Sequence, residues 1–401
     1  MRAIRNLGHA YAHARLGSIA AFAVALLGQL YAPSAAKAED FTIGVINAMT
    51  GIGADLGIAS QQAIEPFVEE FNRSAGTGTR LNIIFRDDES NPQKGVAAAH
   101  ELLQRYRVNM IMGTNLTNVA FAVAPIVNQA KIPFITMATG SALIDPQKFP
   151  YSFRTNIPTD LEARTLVDHV VRQSPGKKYG LMVDTTALGQ AGAQAVRNAL
   201  KAHNLEPIAY EAFNPADTDL TAQGFRLQKA GVETLFVWSN GLQLAHAARS
   251  FERIGFAPQV FGGFGTHQEA FIRLAGPAGS KWAATIYWGT TRSENEPPPA
   301  NIVAYYAKLK SRWGDKLTTT VMLAAMWNDM LNLVVDVVKR SKGRDGDSIK
   351  AALEDTKNFK GMMSSYSFSP ARHDGLEPSA VTIAYVLGVQ DNIRTRVPGM
   401  P

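Results

Sequence analysis

The chain has 401 residues, 46% of them hydrophobic and 18% charged, enough apolar material for two ordinary domains and too much for a disordered or collagen-like protein. It contains no cysteine, which excludes disulfides, thiolate metal centres and a lipid-modified cysteine. The formal charge is +6, but Arg2, Arg5, Arg15 and Lys37 all precede the first acid, Glu39, and without them the balance falls to about +2; the remaining Lys and Arg are scattered rather than striped, so nucleic acid is excluded as an expected partner.

The early basic residues belong to a targeting pattern. Leu16 to Ala32 is almost wholly apolar, and Ala36-Lys37-Ala38 supplies a small-x-small site ahead of Glu39-Asp40. Together they predict a signal peptide over 1–38, cleaved after Ala38, and export to the periplasm. The competing reading is a membrane anchor, for which the run is shorter than the ~20 residues a spanning helix needs. A later apolar run, Val321 to Val338, is interrupted by Asn328, Asp329, Asn332 and Asp336 and reads as a core helix.

From Phe41 onward, short β-branched runs alternate with helical patterns. A strand over 41–46 precedes a helix from about Gly57 to Asn72. A strand over 81–85 ends in the polar turn Arg86-Asp87-Asp88-Glu89-Ser90-Asn91-Pro92, and a helix through Val96, Leu102 and Leu103 leads to a strand over 109–112. A helix over about 119–129 and a strand over 133–136 complete this series. After Phe153-Arg154-Thr155 the rhythm restarts, with strands predicted over 179–183, 207–212, 234–238 and 260–263. Beyond Glu296-Pro297-Pro298-Pro299 lie two long helices, near 300–313 and 319–341. Strands spaced by such helices imply βαβ units and parallel sheets covered on both faces. Two such sheets in series predict a crevice, with ligand outside the carboxyl ends of the strands. The segments to inspect are therefore 47–57, 113–118, 137–141, 184–189, 238–241 and 263–267, all rich in Gly, Ser, Thr and Asn.

Sequence motifs add little enzymology. Gly51, Gly53 and Gly57 miss the dinucleotide spacing by one residue, and the bland reading is a loop entering a helix. There is no G-x-x-x-x-G-K-[ST], H-E-x-x-H or G-x-S-x-G, and His100-Glu101 lacks a second histidine, so no cofactor or metal is expected. Asp87-Asp88-Glu89 reads as a solvated strand-end turn rather than a metal site. A hydrolase is the rival from another class, since a triad is spatial and not sequential, but no residue pair argues for one.

Several of these stretches, in order and over nearly the whole chain after the leader, resemble the type I periplasmic binding proteins of ABC importers, in the branched-chain amino-acid (leucine/isoleucine/valine) group. They are Ile43-Gly44-Val45 with Met49-Thr50-Gly51, Arg86-Asp87-Asp88 with Asn91-Pro92, Pro133 to Thr139, Phe153-Arg154-Thr155, and Asp217-Thr218-Asp219 with Leu227. The resemblance implies an α/β fold of two Rossmann-like lobes joined by three crossovers. Lobe 1 would comprise 39–158 and 288–365, and lobe 2 would comprise 159–287 and 366–401, with the last crossover near Ser364 to Ser369. It implies a monomer that is not an enzyme, closes on one ligand and hands it to a membrane permease; a sensor subunit for a kinase or chemoreceptor is the alternative.

Carried over residue by residue, Thr117 takes the place of a hydroxyl on the ligand carboxylate, and Ala138 and Gly140 take positions whose main chain or hydroxyl does likewise. Thr139 and Asn240 lie in the strand-end segments and join the candidate site. A helix cap competes with the ligand role at Thr117. The departures matter as much. Phe264 stands where amino-acid binders place an acid for the ammonium, and Leu56 and Leu188 replace two pocket tyrosines. Asp160 either supplies a negative charge or caps the helix that begins there. An unpaired ammonium in a closed cleft costs several kcal/mol, so a hydrophobic or aromatic acid stands beside a branched-chain amino acid as expected ligand. Phe264, Trp238 and the leucines would form its apolar pocket, or else belong to the core.

Overall fold

The computed structural model describes residues 40–75, 78–173, 177–293, 295–387 and 393–400; the expected leader over 1–38 lies outside them. The first series contains β1 (Asp40–Asn47), α1 (Ala54–Ser74), β2 (Arg80–Asp87), α2 (Pro92–Gln104), β3 (Met110–Gly113), α3 (Thr117–Gln129), β4 (Phe134–Thr136) and β5 (Ser152–Arg154). Its strands form one parallel sheet in the order β2-β1-β3-β4-β5. Phe41, Ile43, Val45 and Ile46 are all fully buried, because a central parallel strand is covered on both faces and must be apolar throughout. At α2, Pro92 occupies the first turn and the Asn91 side chain accepts from the N–H groups of Gln93 and Lys94 at 2.8 and 3.2 Å.

The second series contains α4 (Thr159–Gln173), β6 (Tyr179–Asp184), α5 (Ala187–Ala202), β7 (Ala209–Phe213), α6 (Thr221–Lys229), β8 (Thr234–Trp238), α7 (Gly241–Arg253), β9 (Gln259–Gly262), α8 (Glu269–Ala275) and β10 (Ala283–Tyr287). After the short β11 (Thr291–Arg292) the chain builds α9 (Ala300–Trp313), α10 (Val321–Arg340) and α11 (Gly346–Glu354). The hairpin strands β12 (Phe359–Lys360) and β13 (Ser365–Tyr366), then β14 (Val381–Tyr385) and β15 (Arg394–Thr395), complete it. The second sheet runs β14-β10-β9-β8-β6-β7. Its strands β6 to β9 match the expectation; β10, parallel to β9, and β14, antiparallel to β10, are additions, and β14 brings the C-terminal segment back onto this sheet.

One large apolar cluster serves the first sheet and includes Val321, Leu331, Val334 and Val338 of α10. That helix is long and apolar enough to cross a membrane, yet 78% of its apolar window is buried in the protein. The second sheet has a separate cluster on each face, one under α6, α7 and α8 and one under α4 and α5. Three passages link the sheets, at 155–158, at 288–299 and at 377–380. The last falls later than the residues near 364–369 expected for it. Tyr366, Phe368 and Leu376 belong to the first core, Phe368 meets Phe153 edge-on at 5.7 Å, and His373 stacks on Phe153 at 4.1 Å. These aromatic contacts hold 366–376 on the first lobe until β14 begins.

Candidate functional site

Strand order reverses at two places, between β1 and β3 and between β6 and β8. At such a switch point the loops leaving neighbouring strands diverge and open a crevice. Both crevices face one gap, lined by Ile52, Asn115, Leu116, Thr117, Asn118, Met137 and Thr139 from the first lobe and Thr186, Leu188, Asn240, Phe264 and Gln268 from the second. Every one of these follows the carboxyl end of a strand. The gap is narrow, bordered closely by residues of both lobes.

The first wall is built around the start of α3. Leu116 holds the cap position and contributes no side-chain bond. Thr117 opens the helix, is only 4% exposed, and has no hydrogen-bond partner for its hydroxyl among the described residues. The first-turn N–H groups of Thr117, Asn118 and Val119 likewise find no acceptor there, as the geometry of a helix start dictates. Beside them, the Thr159 hydroxyl lies 2.9 Å from Thr139 Oγ1 and 3.1 Å from the Thr139 carbonyl, and ties Thr139 to the start of α4. The Thr139 carbonyl is fixed by Arg154 Nη1 at 2.7 Å and by the Thr159 N–H at 3.1 Å. Arg154 is fully buried and grips Asp374 with two further bonds, at 3.1 and 2.8 Å. A second brace joins wall to hinge: Asn156 donates to the Met137 carbonyl at 2.6 Å and accepts from the Tyr287 hydroxyl at 2.9 Å.

The acidic turn after β2 also braces this wall. Burial opposes ionisation of Asp87, but the bonds it accepts from the Glu89 N–H at 2.8 Å, the Thr50 hydroxyl at 2.8 Å and the Met49 N–H at 2.9 Å hold its carboxyl below the ordinary range. Asp88 is fully buried and pushed up to about 6 by desolvation. The expected solvated turn is thus partly interior, because the β1 loop folds down over it.

On the second wall, Thr186 caps α5, accepting from the Gly189 N–H and giving its hydroxyl to Asp184. Asp184 is buried behind the wall, its other oxygen taken by the Ser239 hydroxyl. Gln268 Oε1 accepts from the Gly241 N–H at 2.6 Å, and its Nε2 donates to Asn240 Oδ1 at 3.2 Å. Phe264 is half-buried in the gap and packs partly against the first lobe's core. No lining residue carries a charge. A buried carboxyl, Glu162, lies behind Phe264 at the hinge, accepting from the Thr285 hydroxyl at 3.0 Å, and burial pushes it up to about 8.

Of the residues expected at the site, Thr117, Thr139, Leu188, Asn240 and Phe264 line the gap. Four others do not. Ala138 is buried and its N–H is spent on Thr136 Oγ1 at 3.1 Å. Gly140 lies underneath, with its missing Cβ aimed at Thr117 Cγ2 3.0 Å away. Asp160 is exposed in the first turn of α4, where helix N–H groups favour an acid, and lies outside the lining. Leu56 is core, 3% exposed, and Ile52 one turn earlier faces the gap instead. Trp238, offered as a pocket wall, is buried under α5: a Cβ on Gly192 or Gly263 would lie 2.1 or 2.6 Å from its indole, so glycines form its slot. Every lining residue except Gln268 falls within the strand-end segments read from sequence.

Two facing sheets, a chain that passes three times between them and a gap lined from both sides define a two-lobed α/β protein with an interlobe cleft. A sequence profile described as periplasmic binding protein matches residues 40–386, and the chain belongs to that family, in its type I branched-chain amino-acid group. The Leu/Ile/Val-binding protein homolog 3 of Brucella melitensis is 26% identical over 61% of this chain and 66% of its own length, just under two thirds. Among solved structures, the solute-binding protein of a Rhodopseudomonas palustris ABC transporter in complex with 4-hydroxybenzoate superposes with TM-score 0.76 at 21% identity, covering 90% of this chain and 96% of that one. The substrate-binding protein LivJ of Streptococcus pneumoniae in complex with isoleucine gives TM-score 0.76 at 20% identity, covering 90% of this chain and all of its own. At these identities the superpositions establish the fold.

Proposed function

We propose that the protein is a periplasmic receptor that captures a small carboxylate-bearing molecule between its lobes and delivers it to an ABC importer, without chemical change. The observation that carries this reading is the unsatisfied donor set on the first wall: the Thr117 hydroxyl and the first-turn N–H groups of α3, with Thr139 beside them, border a gap with no charged side chain. A carboxylate removed from water needs several such donors, since each charge-assisted bond returns only about 1.5–3 kcal/mol. Ile52, Met137, Leu188 and Phe264 supply apolar surface for the rest of the ligand. Two of the structural neighbours are described with isoleucine and with 4-hydroxybenzoate, both carboxylates, which supports the class.

The test is a thermal-shift screen of aliphatic, aromatic and amino acids against the chain from residue 39. A ligand at about 100 times its dissociation constant stabilises by about 2.7 kcal/mol. Uptake of the best ligand into cells carrying or lacking this protein then tests delivery. Stabilisation by amines or sugars with none by any carboxylate overturns the reading.

A further inference from the structure

We infer that Asn240 and Gln268 form a second polar pole that presents N–H donors only, so that the cleft selects an organic acid with a second acceptor oxygen, an oxo or hydroxyl group, over one with an ammonium. This rests on the carboxylate pole at Thr117 and Thr139 and names the substrate class of that same site.

The orientation of both amides is dictated by a backbone group. The Gly241 N–H can only donate, and it lies 2.6 Å from Gln268, so the Gln268 oxygen faces it. The Gln268 NH₂ is then turned to Asn240, 3.2 Å away, and an NH₂ group cannot accept. Asn240 must therefore turn its oxygen inward. Its own NH₂ faces the gap, where no described residue accepts from it. Asn240 and Gln268 are 5% and 2% exposed, so this arrangement is held by packing as well as by bonding. Gly241 makes it possible: a Cβ there would stand 2.7 Å from Gln268 Cβ and 3.0 Å from its Oε1.

An ammonium in this gap finds little to accept its hydrogens. Phe264 offers an apolar ring, and the Glu162 carboxyl behind it is fully buried and outside the lining of the gap. The Asp184 oxygens are occupied by the Thr186 N–H and hydroxyl and by the Ser239 hydroxyl. Across the gap, Asn115 donates its NH₂ to Ser60 Oγ at 3.2 Å, while Ser60 sends its own hydrogen to the Leu56 carbonyl. That fixes Asn115 Oδ1 as a neutral acceptor, with Asn118 beside it. Neutral amide oxygens are a poor exchange for the hydration of a full positive charge. An oxo or hydroxyl oxygen meets the Asn240 NH₂ directly.

The test is calorimetric titration of the wild-type protein with two matched sets. In one the second group is near the carboxylate: 4-methyl-2-oxopentanoate, 4-methylpentanoate and L-leucine. In the other it is far across the gap: 4-hydroxybenzoate, benzoate and 4-(aminomethyl)benzoate. In at least one set the oxygen-bearing acid is expected to bind tenfold or more tightly than its parent, and the ammonium compound more weakly than the parent. Asn240→Asp keeps the bond from Gln268 but offers the gap an oxygen in place of NH₂, and is expected to weaken the oxygen-bearing acid at least tenfold while the ammonium compound gains. If the ammonium compound equals its oxygen-bearing partner in both sets, or Asn240→Asp leaves their ratio unchanged, the donor-only pole is wrong and the carboxylate reading stands. If none of the six acids binds, the carboxylate pole and this inference fall together. Should Asn240→Asp not fold, the wild-type comparison decides alone.

Discussion

Replacing Thr117 by valine separates a ligand group from a structural one. The side chain is 4% exposed and valine has its shape, so packing is kept. The hydroxyl has no partner among the described residues, and Leu116, not Thr117, occupies the cap position of α3. The ligand-free protein should therefore keep its stability to within about 0.5–1 kcal/mol, since no internal hydrogen bond is lost. In the complex, the hydroxyl donates one charge-assisted bond to a carboxylate, worth about 1.5–3 kcal/mol. At about 1.4 kcal/mol per decade, that weakens binding roughly 10- to 150-fold. Calorimetric titration of both proteins with the best acid from the screen, paired with ligand-free thermal melts, measures the two quantities independently. An affinity change below twofold refutes the ligand role. A melt lowered by several degrees shows that the hydroxyl serves the fold instead.

Arg154→Met should destabilise by about 1–3 kcal/mol, because Asp374, 23% exposed, loses its charged partner and the Thr139 carbonyl loses one of its donors while keeping the Thr159 N–H; chemical denaturation reads this, and a loss below about 0.5 kcal/mol would show that the pair is dispensable. Glu162→Gln should flatten part of the pH dependence of stability. Burial raises the Glu162 carboxyl from 4.5 to about 8, so the folded state holds its proton more tightly than the unfolded state. That contribution is complete below the unfolded value and is lost as pH rises through about 8. Wild type should accordingly fall behind the variant progressively between pH 5 and 8 in urea melts, and parallel curves would show that the carboxyl is not perturbed. Asp160→Ala should leave ligand affinity within twofold and cost about 0.3–1 kcal/mol through the start of α4; a tenfold loss of affinity would return Asp160 to the site.

The alternation of β-branched runs with helical patterns was enough, by itself, to specify two parallel α/β lobes and the segments that border the gap between them, because parallel strands buried on both faces must be apolar and their ligand loops must leave from the carboxyl ends. The central helix α10 was equally plain, its polar interruptions marking it as interior to a protein. Tertiary structure decided the rest. Whether Leu56 or Ile52 faces the ligand, whether Trp238 is wall or core, and whether Ala138 has an N–H to spare depend on which neighbour lies across a few ångströms of space, and local pattern carries no such information. Gln268 shows this most clearly. It lies one residue beyond the last candidate segment, and its importance comes from a backbone N–H that is 27 positions away in the chain and 2.6 Å away in the fold.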